Sequence, residues 1–363
     1  MTAPETVSRR PTVSVIVPAR NEEASLGSCL ESLTAQTGVS SEIILVDDAS
    51  TDRTRDIAQS FPTVRVVDAG PPPAHWTGKN NAMVVGAKVA AGEWLLFTDA
   101  DTFHLPGSLA RAVAEASRLG ASLLSYSPQQ EVHGFWQKAV MPVIFAELAA
   151  TYRPALVSDP GSPVAAANGQ YILIARAAYD AIGGHAAVSG SLLEDVALAR
   201  AVKTSGRRIF FRFGSDAVRT RMYRNFAQLR EGWTKNLALL FVSPARLALL
   251  RLTEFVLIAG GAAAAVAAFL RGHITPAAMA ALLGAAMYAF LLNRIRKAHF
   301  SWPVTALSPA GLPLFAYLLL RSKLCHVEGS VLWKGRTYGG GTNHPGADAV
   351  IIEGQRPAER SSA

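Results

Sequence analysis

Three long stretches near the C-terminus of this 363-residue chain contain no charged side chain. They are Phe255–Leu270, Ile274–Leu292 and Pro303–Leu320. Each is long enough, or nearly so, to cross the roughly 30 Å hydrocarbon core of a bilayer as a helix that rises about 1.5 Å per residue. Burying three such helices in succession would need a very large protein core. The sequence therefore predicts a membrane region over residues 246–325, with at least two spans at about 252–270 and 274–292.

The third stretch, residues 303–320, differs from the others because proline and glycine interrupt its first half. A full span, a re-entrant element and a helix lying in the interface all remain open for it. The turn between the first two stretches carries one positive charge, on Arg271. Their outer ends carry more, on Arg246, Arg251, Arg294, Arg296 and Lys297. By the positive-inside rule we expect a multi-pass protein of the inner (plasma) membrane whose N-terminal domain is cytoplasmic.

Charge and cysteine content argue against other classes of protein. The net charge of +8 does not predict a nucleic-acid partner, because the basic residues flank the apolar stretches and aromatic residues do not alternate with them. Anionic lipid headgroups are the expected partner. The two cysteines, Cys29 and Cys325, lie far apart and indicate neither a disulfide framework nor a thiolate metal site. Residues 1–11 lack the apolar core of a secretory signal and are expected to be disordered, and residues 326–363 are expected to hold a basic motif and a disordered tail.

The first 250 residues alternate short apolar runs with segments of helical periodicity, which predicts an α/β fold with a mostly parallel sheet. Strands are predicted at Val13–Val17, Ile43–Val46, Val64–Val67 and Trp94–Phe97, the first of them stopped by Pro18. Helices are predicted at Glu22–Gln36, Thr51–Phe61, Asn80–Ala91 and from Glu194 to about Thr204. Ligands of such sheets bind beyond the carboxyl ends of the strands. Three of these ends carry polar runs, at residues 18–22, 47–48 and 99–101, which are therefore expected to line one crevice.

Asp99 and Asp101 directly follow the strand predicted at 94–97. In an extended backbone, residues two apart point to the same side, so both carboxylates can reach one hard cation. A divalent cation held there calls for an anionic substrate, and a nucleotide diphosphate is the usual one. Taken alone, the pair fits a polar loop at the end of a strand at least as well.

Four motifs, taken in their order and spacing, resemble the GT-A glycosyltransferases of family 2. They are Val13–Glu22, Val46–Asp52, Asp99–Asp101 and Glu194-Asp195. Three more resemble a narrower group of bacterial membrane-bound enzymes, the carotenoid (diaponeurosporenoate) and hopanoid-associated glycosyltransferases. They are His75–Lys79, Glu231–Asn236 and Trp333–Tyr338. The resemblance implies a GT-A domain over residues 12–245, followed by the helical membrane region.

The resemblance also implies a nucleotide-sugar donor at the strand ends, with a UDP-sugar expected ahead of a GDP-sugar. The implied donor contacts are Pro18, Arg20, Glu22, Asp48, Lys79 and Asp99. Asp48 would accept a ring N–H of the base, while Asp99 and Asp101 would hold Mg²⁺ or Mn²⁺ against the diphosphate. Residues 47–52 also fit the N-terminal cap of a helix, and Lys79 also fits an ordinary solvated lysine.

For catalysis, the resemblance points to Glu194 and Asp195, with Asp195 as general base and Glu194 as its supporting neighbour. Attack by the acceptor from the face opposite the leaving group predicts inversion at the anomeric carbon. Acidic residues at a helix start also stabilise the macrodipole by about 0.3–1 kcal/mol each, and this alternative stays open.

One motif of the family is altered in this chain. Many members that use lipid or polymer acceptors carry Gln-x-x-Arg-Trp before the membrane segment, whereas Leu229 and Gly232 stand here at the Gln and Arg positions. The tentative acceptor or diphosphate contacts are Arg230, Trp233, Lys235 and Arg336. Trp233 could equally anchor an interfacial helix, and the basic motif around Arg336 could be a juxtamembrane anchor. The altered motif argues against a processive polysaccharide synthase.

Residues 135–157 resemble an amphipathic helix at the bilayer surface, and a core-facing helix fits them equally well. The whole sequence predicts a membrane-anchored inverting glycosyltransferase that moves one sugar from a nucleotide donor to a lipid, of carotenoid-like or hopanoid-like terpenoid type. Two alternatives remain: a polyprenyl-phosphate sugar transferase, and a catalytically silent membrane scaffold with the same fold.

Overall fold

The computed structural model describes residues 11–338. Its strands are β1 (Val13–Ala19), β2 (Ser41–Asp47), β3 (Val64–Asp68), β4 (Trp94–Phe97), β5 (Thr102–His104), β6 (Leu123–Ser127), β7 (Gln129–Gln130), β8 (Ile172–Ala175), β9 (Ile209–Phe213), β10 (Val218–Thr220), β11 (Val331–Trp333) and β12 (Arg336–Tyr338). Its helices are α1 (Leu26–Thr34), α2 (Thr54–Gln59), α3 (Gly78–Val89), α4 (Ser108–Leu119), α5 (Gly134–Thr151), α6 (Pro154–Ser158), α7 (Arg176–Ala181), α8 (Glu194–Thr204), α9 (Phe226–Leu240), α10 (Pro244–Leu270), α11 (Ile274–Ile295), α12 (Trp302–Ala306) and α13 (Ser308–Glu328). Short 3₁₀ turns lie at Gly184–Val188 and Arg296–Ala298. The predictions for residues 1–10 and for the tail beyond 338 lie outside the described residues.

A seven-stranded sheet organises the N-terminal domain, in the order β3-β2-β1-β4-β8-β6-β9. Every neighbouring pair is parallel except those that β8 makes with β4 and β6. Apolar side chains on the two faces of the sheet enter two separate buried clusters, each covered by helices. The predicted α/β fold with a mostly parallel sheet is therefore confirmed.

The first strand is longer than its sequence suggests. Pro18 was predicted to stop it at Val17, but β1 continues to Ala19 and Pro18 pairs with Val46 of β2. On its other side β1 pairs with β4 only as far as Ile16. Pro18 thus lies where the strand has one neighbour, a position in which a missing N–H is tolerated. The extension brings Arg20 and Glu22 to the same sheet edge as Asp48.

Among the described residues, three helical segments are long and apolar enough to cross a membrane: Gly134–Ser158, Pro244–Leu270 and Ile274–Ala298. The most apolar window of the first is 56% buried inside the protein, against 6% and 17% for the other two. The prediction of two spans near 252–270 and 274–292 therefore coincides with the two exposed helices. Residues 134–158 mainly face the core, although Phe135 and Trp136 remain half exposed.

The third apolar stretch, 303–320, forms α12 and most of α13 and is not among these three segments. Leu312, Phe315 and Leu319 of α13 are fully buried, and α13 packs against α5, α9 and α10. Much of its apolar surface is thus covered by protein. The end of α13 leads directly into the β11–β12 hairpin, which lies against the N-terminal domain.

Ion pairs join α10 and α11 to the catalytic domain. Arg294 of α11 lies 2.8 Å from Glu254 of α10 and 3.4 Å from Glu147 of α5. Arg251 of α10 contacts the same two carboxylates. Arg251 and Arg294, two of the basic residues that flank the apolar stretches, are therefore neutralised within the protein. Their ion pairs fix the two exposed helices beside α5.

Close packing at Gly311 gives a first prediction. A Cβ at this position of α13 would overlap the backbone carbonyl of Ala139 in α5. We expect Gly311→Ala to destabilise the protein by about 1–3 kcal/mol and to lower its apparent Tm in detergent, because backbone atoms cannot move aside cheaply. Gly260→Ala in α10, where the nearest atom would be 3.9 Å away, is the matched control. Equal Tm values for both variants would contradict the tight α13–α5 contact.

Candidate active site

A cavity of about 480 Å³ opens at the carboxyl ends of β1, β2 and β4. The starts of α3 and α8, the helix α9 and the β11–β12 hairpin complete its walls. The residues singled out from sequence that line it are Pro18, Arg20, Glu22, Asp48, Lys79, Asp99, Asp101, Glu194, Asp195, Trp233, Lys235 and Arg336. Of the sequence-predicted site residues, Arg230 alone is not among the lining residues and is exposed. The fold thus brings positions nearly 320 residues apart into one cavity.

Lys79 links the Asp99–Asp101 motif to Glu194-Asp195. It lies in the first turn of α3, whose cap is the Thr77 side chain accepting the Asn80 N–H. Its Nζ is 2.8 Å from Asp99 Oδ1 and 2.7 Å from Glu194 Oε1. Burial alone would lower the pKa of Lys79, but the two carboxylates raise it well above its usual value. A charged amine therefore lies at the centre of the acidic cluster. This disfavours the interpretation of Lys79 as an ordinary solvated lysine.

Asp101 carries a buried oxygen, Oδ1, that has no hydrogen-bond partner. Burial and the nearby charges of Asp99 and Glu22 raise the pKa of this carboxyl to about 7. An unpartnered carboxylate beside other carboxylates fits a bound cation, which would supply the missing counter-charge. No group of three or more acidic, His or Cys side chains between residues 11 and 338 forms a ready-made metal site. A divalent ion held by Asp99 and Asp101 would thus need further ligands from phosphate and water.

Glu194 and Asp195 occupy the first turn of α8 and have opposite electrostatic environments. Burial would raise the pKa of Glu194, but Lys79 and Lys235 lower it to about 2. For Asp195, burial and the neighbouring Glu194 charge raise the pKa to about 6. Two adjacent carboxylates whose pKa values are pushed apart are typical of sites that use one as a fixed charge and the other as a proton acceptor.

Backbone N–H groups orient Asp195. Its Oδ2 accepts a hydrogen bond from Gly169 at 2.9 Å and its Oδ1 one from Val196 at 2.8 Å. Gly169 lies so close to the acidic cluster that a Cβ there would be 3.2 Å from Lys79 Nζ and 3.4 Å from Glu194 Oε1. The absence of a side chain at Gly169 therefore keeps the space beside both carboxylates open.

The β11–β12 hairpin reaches the opposite end of the cavity. Arg336 makes a bidentate ion pair with Asp48, at 2.5 and 2.9 Å. Lys334 pairs with Glu22 and also donates to the Arg20 carbonyl at 3.1 Å. Sequence reasoning included Arg336 but missed Lys334, although both belong to the Trp333–Tyr338 motif. The positive charges of that motif were the signal that could have indicated Lys334. The carboxylates that Lys334 and Arg336 contact lie about 300 residues away in the sequence.

Apolar side chains form a second part of the cavity, contributed by α5, β9 and α9. They include Phe145, Leu148, Tyr152, Phe211, Trp233 and Leu240. Trp233 is only 2% exposed, and its indole Nε1 donates to the sulfur of Met141 at 3.3 Å. This burial disfavours the interpretation of Trp233 as an interfacial anchor. The ammonium nitrogen of Lys235, two residues further along α9, lies 5.0 Å from the centre of the Trp333 ring.

Comparisons with known proteins agree with this fold. Residues 14–181 match the family model described as "Glycosyl transferase family 2". The protein is thus a glycosyltransferase whose residues 14–181 form a family 2 domain with the predicted GT-A fold. Three of the four motifs lie within the matched residues, apart from Val13 at the start of the first, and Glu194-Asp195 lies beyond them.

Individual relatives span nearly the whole chain. A Staphylococcus aureus (strain MRSA252) protein named 4,4'-diaponeurosporenoate glycosyltransferase is 28% identical over 337 residues, covering 90% of this chain and 88% of the relative. The protein of the same name from strain USA300 is 28% identical over 339 residues, with the same coverage. A solved structure, the mannosyltransferase PcManGT from Pyrobaculum calidifontis in complex with GDP-Man and Mn²⁺, has a TM-score of 0.53 at 19% identity, over 88% of this chain and 87% of that one. At that identity the likeness shows the fold.

Proposed function

We propose that this protein is a membrane-anchored, inverting glycosyltransferase that transfers a single sugar from a nucleoside-diphosphate donor to a lipid acceptor. The observation that carries the proposal is the composition of the cavity, in which acidic and cationic groups from the strand ends meet an apolar chamber built on α5 and α9. A polar nucleotide sugar and an apolar acceptor can both be accommodated there, with Asp195 lining the same cavity.

The donor half is assigned to the strand ends. Asp48 is 4% exposed and would accept a ring N–H of the base, with Pro18, Arg20 and Glu22 around it. Lys79 would meet the diphosphate at the N-terminus of α3, where helix N–H groups favour anions. Uracil and guanine both present such an N–H, and the mannosyltransferase of similar fold was solved with GDP-Man. The expectation of a UDP-sugar therefore rests on the sequence resemblance alone.

The acceptor half supports a lipid. The helix α5, which carries part of its apolar wall, is joined to α10 and α11 by the ion pairs of Glu147 with Arg251 and Arg294. An acceptor held in a membrane around α10 and α11 would therefore enter beside α5. Two relatives are named for 4,4'-diaponeurosporenoate, which favours a terpenoid acid among the lipids.

The topology agrees with a cytoplasmic active site. Two crossings, by α10 and α11, return the chain to the side on which it entered, and α13 and the β11–β12 hairpin then contact the catalytic domain. The short turn between the crossings is poor in positive charge, which places it on the outer side of the inner membrane by the positive-inside rule.

The transfer itself follows from the placement of charges. With a hydroxyl acceptor, Asp195, held by two backbone N–H groups, takes up the proton as the acceptor oxygen attacks the anomeric carbon from the face opposite the leaving group. With a carboxylate acceptor, which is already ionised, Asp195 positions the substrate. Glu194 stays ionised and holds Lys79 in place beside the diphosphate. Mg²⁺ or Mn²⁺ bound by Asp99 and Asp101 would stabilise the negative charge that builds on the departing nucleoside diphosphate. Displacement in a single step inverts the anomeric configuration.

A polyprenyl-phosphate acceptor is less well supported. It would need cations near the acceptor oxygen, and Arg230, one of the residues considered for that role, is exposed outside the cavity. Arg336 is paired with Asp48 in the donor half. Lys235 is the remaining cation considered from the sequence that lines the cavity, and one amine suits a carboxylate better than a phosphate dianion.

The proposal can be tested by sugar transfer into lipid. Membranes from cells with and without the gene are incubated with radiolabelled UDP-glucose or GDP-mannose and Mn²⁺, and the organic extract is separated and analysed by mass spectrometry. We expect a glycosylated lipid of opposite anomeric configuration to the donor, present only with the gene. Label that appears only on a polyprenyl phosphate would favour the alternative acceptor, and label confined to the aqueous phase would contradict a lipid acceptor.

The raised pKa of Asp195 predicts the pH dependence of transfer. A general base works only when ionised, and burial beside Glu194 raises the pKa of Asp195 to about 6. With a hydroxyl acceptor, kcat should therefore level off above pH 6 and fall about tenfold for each pH unit below it. The measurement is the kcat for a hydroxyl acceptor at saturating donor and metal, determined from pH 4.5 to 8. A profile flat through pH 5 would contradict proton transfer to Asp195.

A further inference from the structure

We infer that Arg336 of the β11–β12 hairpin is a donor-binding residue that exchanges partners when the nucleotide sugar binds, and this inference rests on the function proposed above. Before binding, Arg336 neutralises Asp48, while Lys334 of the same hairpin pairs with Glu22. On binding, Asp48 accepts a hydrogen bond from the nucleotide base and Arg336 binds the diphosphate.

The hairpin closes the donor half through many directed contacts. The backbone N–H of Lys334 donates to Glu231 Oε1 at 2.8 Å, and Arg20 Nε donates to the Lys334 carbonyl at 3.2 Å. Trp333, which precedes the turn, packs on the Lys235 ammonium. The hairpin is therefore part of the cavity wall, and its two cations point at the carboxylates assigned to the donor.

The position of Arg336 is also where a diphosphate is expected. A Cβ at Gly78 would overlap both the Arg336 guanidinium and the Asp48 carboxylate, so the guanidinium lies directly against the N-terminus of α3. Lys79 is the next residue along that helix and points into the same cavity. A diphosphate bound at this helix start would lie within reach of both cations.

The charges of the free site explain why the exchange is favourable. Asp48 is almost fully buried and would be costly to leave without a partner, which Arg336 provides. A base N–H can take over that role, and the released guanidinium then meets two phosphate groups that need cations. Arg suits this task because its planar fork binds phosphate oxygens in pairs, as it does carboxylates. Asp48 and Arg336 thus each keep a partner before and after binding.

The Arg336→Ala variant distinguishes partner exchange from two simpler roles of Arg336, which are blocking the pocket and supporting the fold. The probes are UDP, GDP, uridine and guanosine, titrated calorimetrically into the full-length protein in detergent with Mn²⁺. For the nucleoside diphosphate that the wild type binds, we expect affinity to fall at least about tenfold, as for loss of a hydrogen-bonded charge. Affinity for the matching nucleoside should stay equal or rise, because Asp48 is no longer occupied by Arg336.

Changes of the same sign in the affinities for the nucleoside diphosphate and for the nucleoside would overturn the inference. If both affinities rise, Arg336 only blocks the pocket, and if both fall by the same factor, it only supports the fold. Thr337→Ala, an exposed position in the same hairpin strand, is the matched control and should leave all affinities unchanged. Arg336→Lys, which keeps the charge but loses the bidentate fork, should show a smaller loss for the diphosphate and serves if the Ala variant does not fold. A wild type that binds neither UDP nor GDP would refute the proposed function itself, whereas binding unaffected by Arg336→Ala would refute only the exchange.

Discussion

Asp195→Asn is expected to lower kcat for a hydroxyl acceptor by about 10²–10⁴-fold, the range by which general bases accelerate proton transfer. The amide cannot accept the proton that the acceptor must lose. It also offers one oxygen in place of two, so it cannot serve both Gly169 and Val196, whose N–H groups now hold the carboxylate. Donor affinity should change less than kcat, because Lys79, which is assigned to the donor, pairs with Asp99 and Glu194 and keeps both partners in the variant.

The measurement is steady-state transfer of radiolabelled sugar into extracted lipid, with the donor Kd and the Tm determined on the same preparation. Asp180→Asn, an exposed carboxylate on α7, controls for loss of a negative charge. Undiminished turnover of a hydroxyl acceptor would contradict the base assignment. A carboxylic acid acceptor is already ionised, so with such an acceptor Asp195 positions the substrate and the loss should be much smaller.

Local patterns were sufficient to predict the acidic half of the site. Trp94–Phe97 forms a strand with the predicted bounds, and Glu194–Thr204 forms the predicted helix. Both signals are short-range: an apolar run that ends in carboxylates, and two acids at the start of a helical period. Parallel strands then bring their carboxyl ends to one edge, so the meeting of Asp48 and Asp99 in one cavity followed from topology alone.

The hairpin contacts could not be predicted in this way. Asp48 and Arg336 are 288 positions apart, and Glu22 and Lys334 are 312 apart. Whether the Trp333–Tyr338 motif reaches the site depends on how many times the intervening chain crosses the membrane and on where α13 packs. No local periodicity encodes either quantity.

Composition also could not separate burial in lipid from burial in protein. Residues 303–320 lack charge, as a membrane span would, yet Leu312, Phe315 and Leu319 are buried against neighbouring helices. Arg230 illustrates a different limit. Leu229, Trp233 and Leu237 follow the four-residue spacing of a buried face of α9, and both Arg230 and Lys235 fall outside that face. Lys235 nevertheless lines the cavity and Arg230 does not, so the apolar phase of α9 could not have separated the two.

Asp101→Asn is expected to abolish the effect of Mn²⁺ on donor binding and to reduce sugar transfer at least about 100-fold. Loss of the carboxylate removes one of two charged ligands proposed for the metal, and the buried amide that replaces it is a weak ligand for a hard cation. Without metal, however, the variant should be as stable as the wild type or more so. Burial beside Asp99 and Glu22 makes the ionised Asp101 unfavourable, and the substitution removes that charge.

The substitution should therefore weaken metal-dependent donor binding without lowering the stability of the metal-free protein. This combination distinguishes a metal ligand from a residue that only supports the loop. Apparent Tm is measured with EDTA and with saturating Mn²⁺, each with and without UDP or GDP. For the wild type we expect Mn²⁺ together with the nucleotide to raise the Tm, as ligands that bind only the folded state do. For Asp101→Asn that rise should vanish while the Tm in EDTA is maintained. A variant that keeps its Mn²⁺-dependent rise would refute the metal role, and one that loses stability in EDTA would show that Asp101 supports the loop through its own hydrogen bonds. The Oδ1 of Asp101 argues for a maintained Tm in EDTA, because this oxygen has no hydrogen-bond partner and its replacement by an amide NH₂ breaks no hydrogen bond at that atom.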